Sequence, residues 1–195
     1  MGRMSVGERR SALVAAAFTV IATRGLPAAS IRTIVAEAGM SLASFHYAFT
    51  SREELLDVLI AETTASERSA VLPEQISGHS LHDLFAEGLG GYLEHLRARP
   101  EREQAMLELT QYAVRSRPDL AREQYGAYQE IALATLELVA AETGCQWLVP
   151  APTVARLLVY LTDGLTIGWL VDRDTDAARA TIEAAARALS TLART

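Results

Sequence analysis

The twenty residues Ser30–Phe49, SIRTIVAEAGMSLASFHYAF, constrain this chain more than any other stretch. Ser30 is a natural N-cap. Behind it, Ile31, Ile34 and Val35 fall on one face of a helix predicted to end at Ala38. Gly39 can take the left-handed backbone of a sharp turn. Met40 fills the corner, and Ser41 caps a further helix from Leu42 to about Tyr47. Two short helices and a glycine turn in so little chain match the spacing of a helix-turn-helix, whose second helix enters the major groove of DNA.

The flanking residues extend this into a three-helix head. The opening seven or eight residues read as a flexible arm. Val14, Ala17, Phe18 and Ile21 then mark a helix from Glu8 to about Arg24, which Gly25 and Leu26-Pro27 end. After the motif, Ser51-Arg52-Glu53-Glu54 reads as a capping box that opens a connector helix to about Arg68. The domain boundary is therefore predicted at residue 52, with a DNA-binding domain over 1–52 and an effector-binding and dimerisation domain over 53–195.

Charge supports that division. The whole chain carries -6. Through residue 52, six arginines (3, 9, 10, 24, 32 and 52) stand against Glu8 and Glu37, a local charge of +4, so the remainder carries -10. A basic head on an acidic body suits phosphate contact at one end only.

The body reads as helices throughout, with no strand-period segment of useful length, so the fold class is all-α. A loop is predicted around Pro73 and Gly78. Helices are predicted over Leu81–Arg99, Glu101–Arg115, Pro118 to about Gly144, Thr153–Val171 and Thr175–Ala193. Thr153–Val171 is apolar enough to raise the question of a membrane, but Arg156 and Asp163 oppose it and a buried helix is expected. Asp163, Gly164 and Gly168 on that helix, with Ile182, Ala186 and Leu189 on the next, make a candidate homodimer surface. The alternative is that these stripes pack inside one chain.

Several chemistries find no support. Cys145 is the sole cysteine and has no neighbouring base and orienting acid, which argues against a nucleophile and fits a cytoplasmic location with no secretory leader. His79, His82, Asp83 and Glu87 are spaced closely enough for a metal to be imagined, but they sit at a loop-to-helix start and are expected to be solvated or capping. There is no phosphate loop, G-x-G-x-x-G or G-x-S-x-G. No enzyme activity, metal or other cofactor is expected.

The stretch from Arg10 to Leu59, comprising RRSALVAAAFTVIATRG, SIRTIVAEAGMSLASFHYAF and SREELLDVL, resembles the tetracycline-repressor (TetR) family of bacterial regulators. The family usually has L-Y-x-H-F or L-Y-x-Y-F where this chain has Phe45-His46-Tyr47-Ala48-Phe49. His46 thus stands at the usual phosphate-contacting tyrosine, and Arg52 at a common phosphate-contacting lysine. The resemblance implies a homodimeric repressor on a palindromic double-stranded DNA operator, released by a small-molecule effector. A transcriptional activator of the same fold is the first alternative. A helical ligand-binding or enzymatic protein that no longer uses its head is the second.

Residue chemistry then assigns candidates. Ser30, Thr33, Arg52 and one of His46 or Tyr47 suit phosphate, whereas Ser41 caps the helix whose exposed start, Leu42, Ala43, Ser44 and in addition Tyr47, suits base edges. Arg32 can reach either. Phe45 and Phe49 are expected in the head's core. Phe85, Tyr92, Met106, Tyr112, Tyr125, Tyr128, Trp147 and Trp169 are pocket material for a hydrophobic or aromatic effector, or else core.

Overall fold

Ser5, three residues earlier than the sequence reading placed it, opens the first helix, α1 (Val6–Arg24). Its hydroxyl accepts from the Glu8 N–H at 3.2 Å, and the Glu8 carboxylate accepts from the Ser5 N–H at 2.7 Å. This reciprocal box shortens the expected arm, and S-V-G-E is its sequence signature. The computed structural model describes residues 4–67 and 79–194, with the side chains of 63–67 outside the description. The predicted loop at Pro73 and Gly78, and the expected helix end at Arg68, lie outside the described residues.

Nine α-helices follow one another among the described residues. After α1, a single 3-10 turn (Leu26–Ala28) leads to α2 (Ile31–Glu37) and α3 (Leu42–Ala48). Then come α4 (Arg52–Glu67), α5 (Leu81–Ala98), α6 (Pro100–Ser116), α7 (Pro118–Thr143), α8 (Ala151–Asp172) and α9 (Thr175–Ser190). The all-α reading holds, with one small addition. Gln146–Trp147 (β1) pairs antiparallel with Ala193–Arg194 (β2), Gln146 opposite Arg194. That pairing ends α9 earlier than its apolar pattern suggests. In α8, Pro152 sits in the first turn, where no backbone N–H is needed, so the helix starts at Ala151 rather than Thr153.

The chain divides into two compact units, Met1–Ala65 with Glu101–Gln124, and Ser66–Pro100 with Tyr125–Thr195. The first therefore extends well beyond residue 52. Its core joins Leu13, Ile21, Ile34, Phe45 and Phe49 to Leu55, Leu56, Leu59 and Ile60 of α4 and to Met106 and Leu109 of α6. Three helices of this length expose too much apolar surface to close a core alone, and α4 and α6 cover it.

In the second unit, α5 packs on α8 and α9. Leu89, Leu93 and Leu96 meet Val154, Val159, Ile182, Ala186 and Leu189. Ile182, Ala186 and Leu189 are 6%, 0% and 1% exposed, so they belong to their own chain's core and not to a partner-facing stripe. Their amphipathic spacing is satisfied by α5. The expectation for α8 also changes. It is long and apolar enough by composition to cross a membrane, yet only 28% of its apolar window is buried within the chain. Leu157, Tyr160, Ile167 and Val171 stand exposed along one side of it.

His79 pairs with Glu87 at 3.1 Å, and His82 lies between Asp83 at 3.2 Å and Glu183 of α9 at 2.9 Å. Each histidine thus faces a carboxylate at contact distance, and no metal-holding cluster occurs among the described residues.

Candidate nucleic-acid interface

The turn between α2 and α3 is set by local chemistry. Gly39 sits at φ 63°, where a side chain is strained, and the Met40 N–H bonds back to the Val35 carbonyl at 2.8 Å. Ser30 caps α2 by accepting from the Thr33 N–H, and Ser41 caps α3 by accepting from the Ser44 N–H, each at 3.2 Å. The paired hydroxyls, Ser30 with Thr33 at 2.8 Å and Ser41 with Ser44 at 3.0 Å, hold both caps in one rotamer.

Burial then sorts the third helix into two faces. Phe45, Ala48 and Phe49 point into the core, the two phenyl rings 5.7 Å apart. Leu42, Ala43, His46 and Tyr47 are exposed, Tyr47 at 63%. Ser44 is half-buried, and Arg32 on α2 is exposed with no ion-pair partner among the described residues. A short helix with one face buried by phenylalanines and the other carrying small and hydroxyl-bearing side chains can lie in a groove and touch base edges.

Three arginines have partners that the sequence did not reveal. Arg9 of α1 lies over the exposed Tyr47 ring at 5.1 Å, adding a cation beside α3. Arg10 covers the Phe49 ring at 4.1 Å, bonds the Ala48 carbonyl and pairs with Glu54 at 3.0 Å. Arg52 donates from Nε to the Ala29 carbonyl at 2.5 Å and from Nη2 to the Leu26 carbonyl at 3.0 Å. It thereby clamps the entry to α2, a role that sits beside the phosphate contact expected of it. Glu108 of α6 holds the other side of the same entry, accepting from the Leu26 N–H at 2.5 Å.

The predicted box at Ser51 is half right. Ser51 accepts from the Glu54 N–H at 3.0 Å, but the Glu54 carboxylate takes the N–H and hydroxyl of Thr50, both at 2.8 Å. These bonds, with Arg10, hold the Glu54 carboxyl at about 2. Because that value is depressed below its ordinary 4.5, the stabilisation is complete above pH 4.5 and is lost as pH falls toward 2. Glu54→Gln should therefore melt below wild type at neutral pH. The two melting temperatures should converge as pH falls from about 4.5 to about 2.

The family model for bacterial regulatory proteins of the tetR family matches residues 13–59, from within α1 to the middle of α4. The HTH-type nicotine-responsive transcriptional repressor HdnoR of Paenarthrobacter nicotinovorans is 32% identical over 181 residues, 87% of this chain and 88% of that protein. This chain belongs to the tetR family. It is a DNA-binding transcriptional regulator. A TetR-family regulator from Rhodococcus sp. shares the fold, with a TM-score of 0.76 at 24% identity over 94% of this chain and 99% of that one. The multidrug binding protein EbrR in complex with ethidium gives a TM-score of 0.65 at 25% identity over 90% of this chain and 96% of that one.

Within this tetR-family chain the remaining candidates separate. Met106 and Tyr112 lie in or against the core of the first unit. Phe85, Tyr92, Tyr125, Tyr128, Trp147 and Trp169 all lie in the second. Trp169 is 8% exposed and donates to the Thr175 hydroxyl at 3.1 Å. Gly164 and Gly168 are exposed on α8 with open space beside them, whereas Asp163 turns toward α7 and accepts from the Tyr125 hydroxyl at 2.8 Å.

Variants at the two serine- and arginine-bearing positions should behave differently. Arg52→Ala should weaken binding to cognate and scrambled DNA about equally and lower the salt slope by about 1. It should also lower the head's melting temperature, because two charge-assisted bonds worth about 1.5–3 kcal/mol each in favourable cases disappear. Ser44→Ala should change the relative preference among operator variants. Gel shifts at two salt concentrations with a thermal melt check both, and the assignment is overturned if both variants scale all sequences alike.

Proposed function

We propose that this regulator is a cytoplasmic homodimer that represses transcription from a palindromic operator and is released by a small hydrophobic or aromatic effector. The observation that carries the reading is the uncovered apolar side of α8. Leu157, Tyr160, Ile167 and Val171 are 39–81% exposed, with Gly164 and Gly168 between them. Beside it, α9 exposes the small residues Ala177, Thr181, Ala184 and Ala188. An open groove of about 270 Å³ runs between the two helices past Gly164, Gly168, Trp169, Ala177, Thr181 and Ala185. A second copy related by a two-fold axis covers both faces at once, with large side chains of one α8 seated where glycines and alanines leave room.

Two heads are needed because one short helix reads few bases. Held by a two-fold axis, they match half-sites about 34–36 Å apart or a multiple of that spacing. An effector that binds better to a body whose heads are wrongly spaced shifts the population off DNA. The nicotine response of HdnoR and the ethidium complex of EbrR support a nitrogen-containing aromatic effector for this chain.

Sedimentation of the purified protein, with gel shifts on the DNA flanking its gene with and without nicotine and related aromatic amines, tests the proposal. A dimer with a specific, salt-sensitive shift is expected. A monomer that binds DNA, or a dimer with no specific fragment, overturns it.

A further inference from the structure

The interior of the second unit holds a carboxylate that packing does not explain. Along the 22 residues of α8 only Arg156, Asp163 and Asp172 are charged, and Asp163 alone falls mid-helix on the side that meets α7. It is partly buried, and among the described residues it accepts from the neutral Tyr125 hydroxyl, at 2.8 Å to Oδ2. Among the described residues no arginine or histidine pairs with it. Arg156, two turns earlier, reaches Gln129 at 3.3 Å instead. An ionised carboxylate has about four acceptor positions, and desolvating it without a cation is costly. That cost shows in both partners, since burial pushes the Asp163 carboxyl and the Tyr125 phenol above their ordinary values.

The surroundings are aromatic. The Tyr128 ring meets the Tyr125 ring edge-on at 5.8 Å. One turn along α8, Thr166 bonds the Tyr92 hydroxyl at 2.5 Å. The α7 stretch from Tyr125 to Gln129 is partly open throughout, and Gly126 has free space where a side chain would stand. Ring faces attract organic cations, and a carboxylate among them adds the formal counter-charge.

We infer that Asp163, bonded by Tyr125 whose ring packs edge-on against Tyr128, is the counter-ion for an organic ammonium with an aromatic body. This rests on the effector reading above and narrows it from nitrogen-containing aromatic compounds, charged or neutral, to aromatic cations. The phenol of Tyr125 holds the carboxylate in place while the site is empty, and the incoming ammonium takes the acceptor positions the phenol leaves open.

The test uses matched probes differing only in charge: tryptamine against tryptophol, phenethylamine against 2-phenylethanol, and benzyltrimethylammonium against neopentylbenzene. Affinities are measured by calorimetry on the full dimer and on Asp163→Asn, which keeps an oxygen for the Tyr125 hydroxyl and so keeps the fold. At least one ammonium should bind at least tenfold tighter than its neutral twin, and Asp163→Asn should erase that preference without moving the neutral twin. No preference in any pair, or a preference that survives Asp163→Asn, overturns the inference. Operator release is scored alongside by gel shift. Asp163-dependent binding without release preserves the site and overturns the effector reading. Release by a neutral probe from both proteins, with no ammonium preferred over its twin, preserves the effector reading and overturns the site.

Discussion

Phe45→Ala is expected to weaken operator binding sharply by destabilising the head. Phe45 is fully buried, stacked obliquely on Phe49 and set among Leu13, Ile34 and Leu55 in one core. Removing a phenyl ring from such a site costs about 3–5 kcal/mol, the lost transfer energy plus the cavity left behind. A domain is stable by only about 5–15 kcal/mol in total, so a large part of the margin disappears. The third helix loses its anchor while its outer face is untouched. Phe45→Leu keeps most of the volume and should retain binding with a modest drop in melting temperature. Circular dichroism melts with gel shifts at several temperatures check this. If Phe45→Ala melts like wild type yet loses DNA, the ring contacts the operator and is not a core residue.

The contrast between Phe45 and its neighbours shows what could be read from the sequence. Ser30, Gly39 and Ser41 act within three residues of themselves, so their identity and spacing carry the geometry, and the structure places each cap where the spacing put it. Ser5 obeys the same local rule, legible in S-V-G-E, although the apolar spacing alone places the helix start at Glu8. Arg10, Arg52 and Glu108 are different. Their partners lie 38, 23 and 82 residues away, and no local pattern says which arginine clamps a carbonyl and which, like Arg32, makes no ion pair among the described residues.

Amphipathic stripes have a related ambiguity. The periodicity of Ile182, Ala186 and Leu189 announces a buried face but does not say buried against what, and α5 turns out to be the answer. α8 is apolar on more than one side, so the stripe that remains after intramolecular packing emerges only from the fold. The pocket candidates were scattered for the same reason, with Met106 and Tyr112 drawn into the first unit.

That residual stripe supports the second large effect. Ile167→Glu is expected to convert the protein to a folded monomer and to weaken operator binding by about 10²–10⁴-fold, the factor typically gained by linking two weak binding modules. Ile167 is 52% exposed in its own chain, so the glutamate is hydrated in the monomer and its fold and helicity should persist. Across a two-fold axis each copy would bring a carboxylate into an apolar seam opposite its twin, where desolvation and like-charge repulsion act together. Ile182→Glu makes the necessary comparison. At 6% exposure inside the α5–α9 packing, that charge has no route to water and should unfold the second unit outright. Sedimentation, far-ultraviolet circular dichroism and gel shifts on the same preparations separate the two outcomes. An Ile167→Glu protein that stays dimeric with undiminished operator affinity would place the interface elsewhere, because a solvent-facing α8 accepts a charge at this position and a buried seam does not.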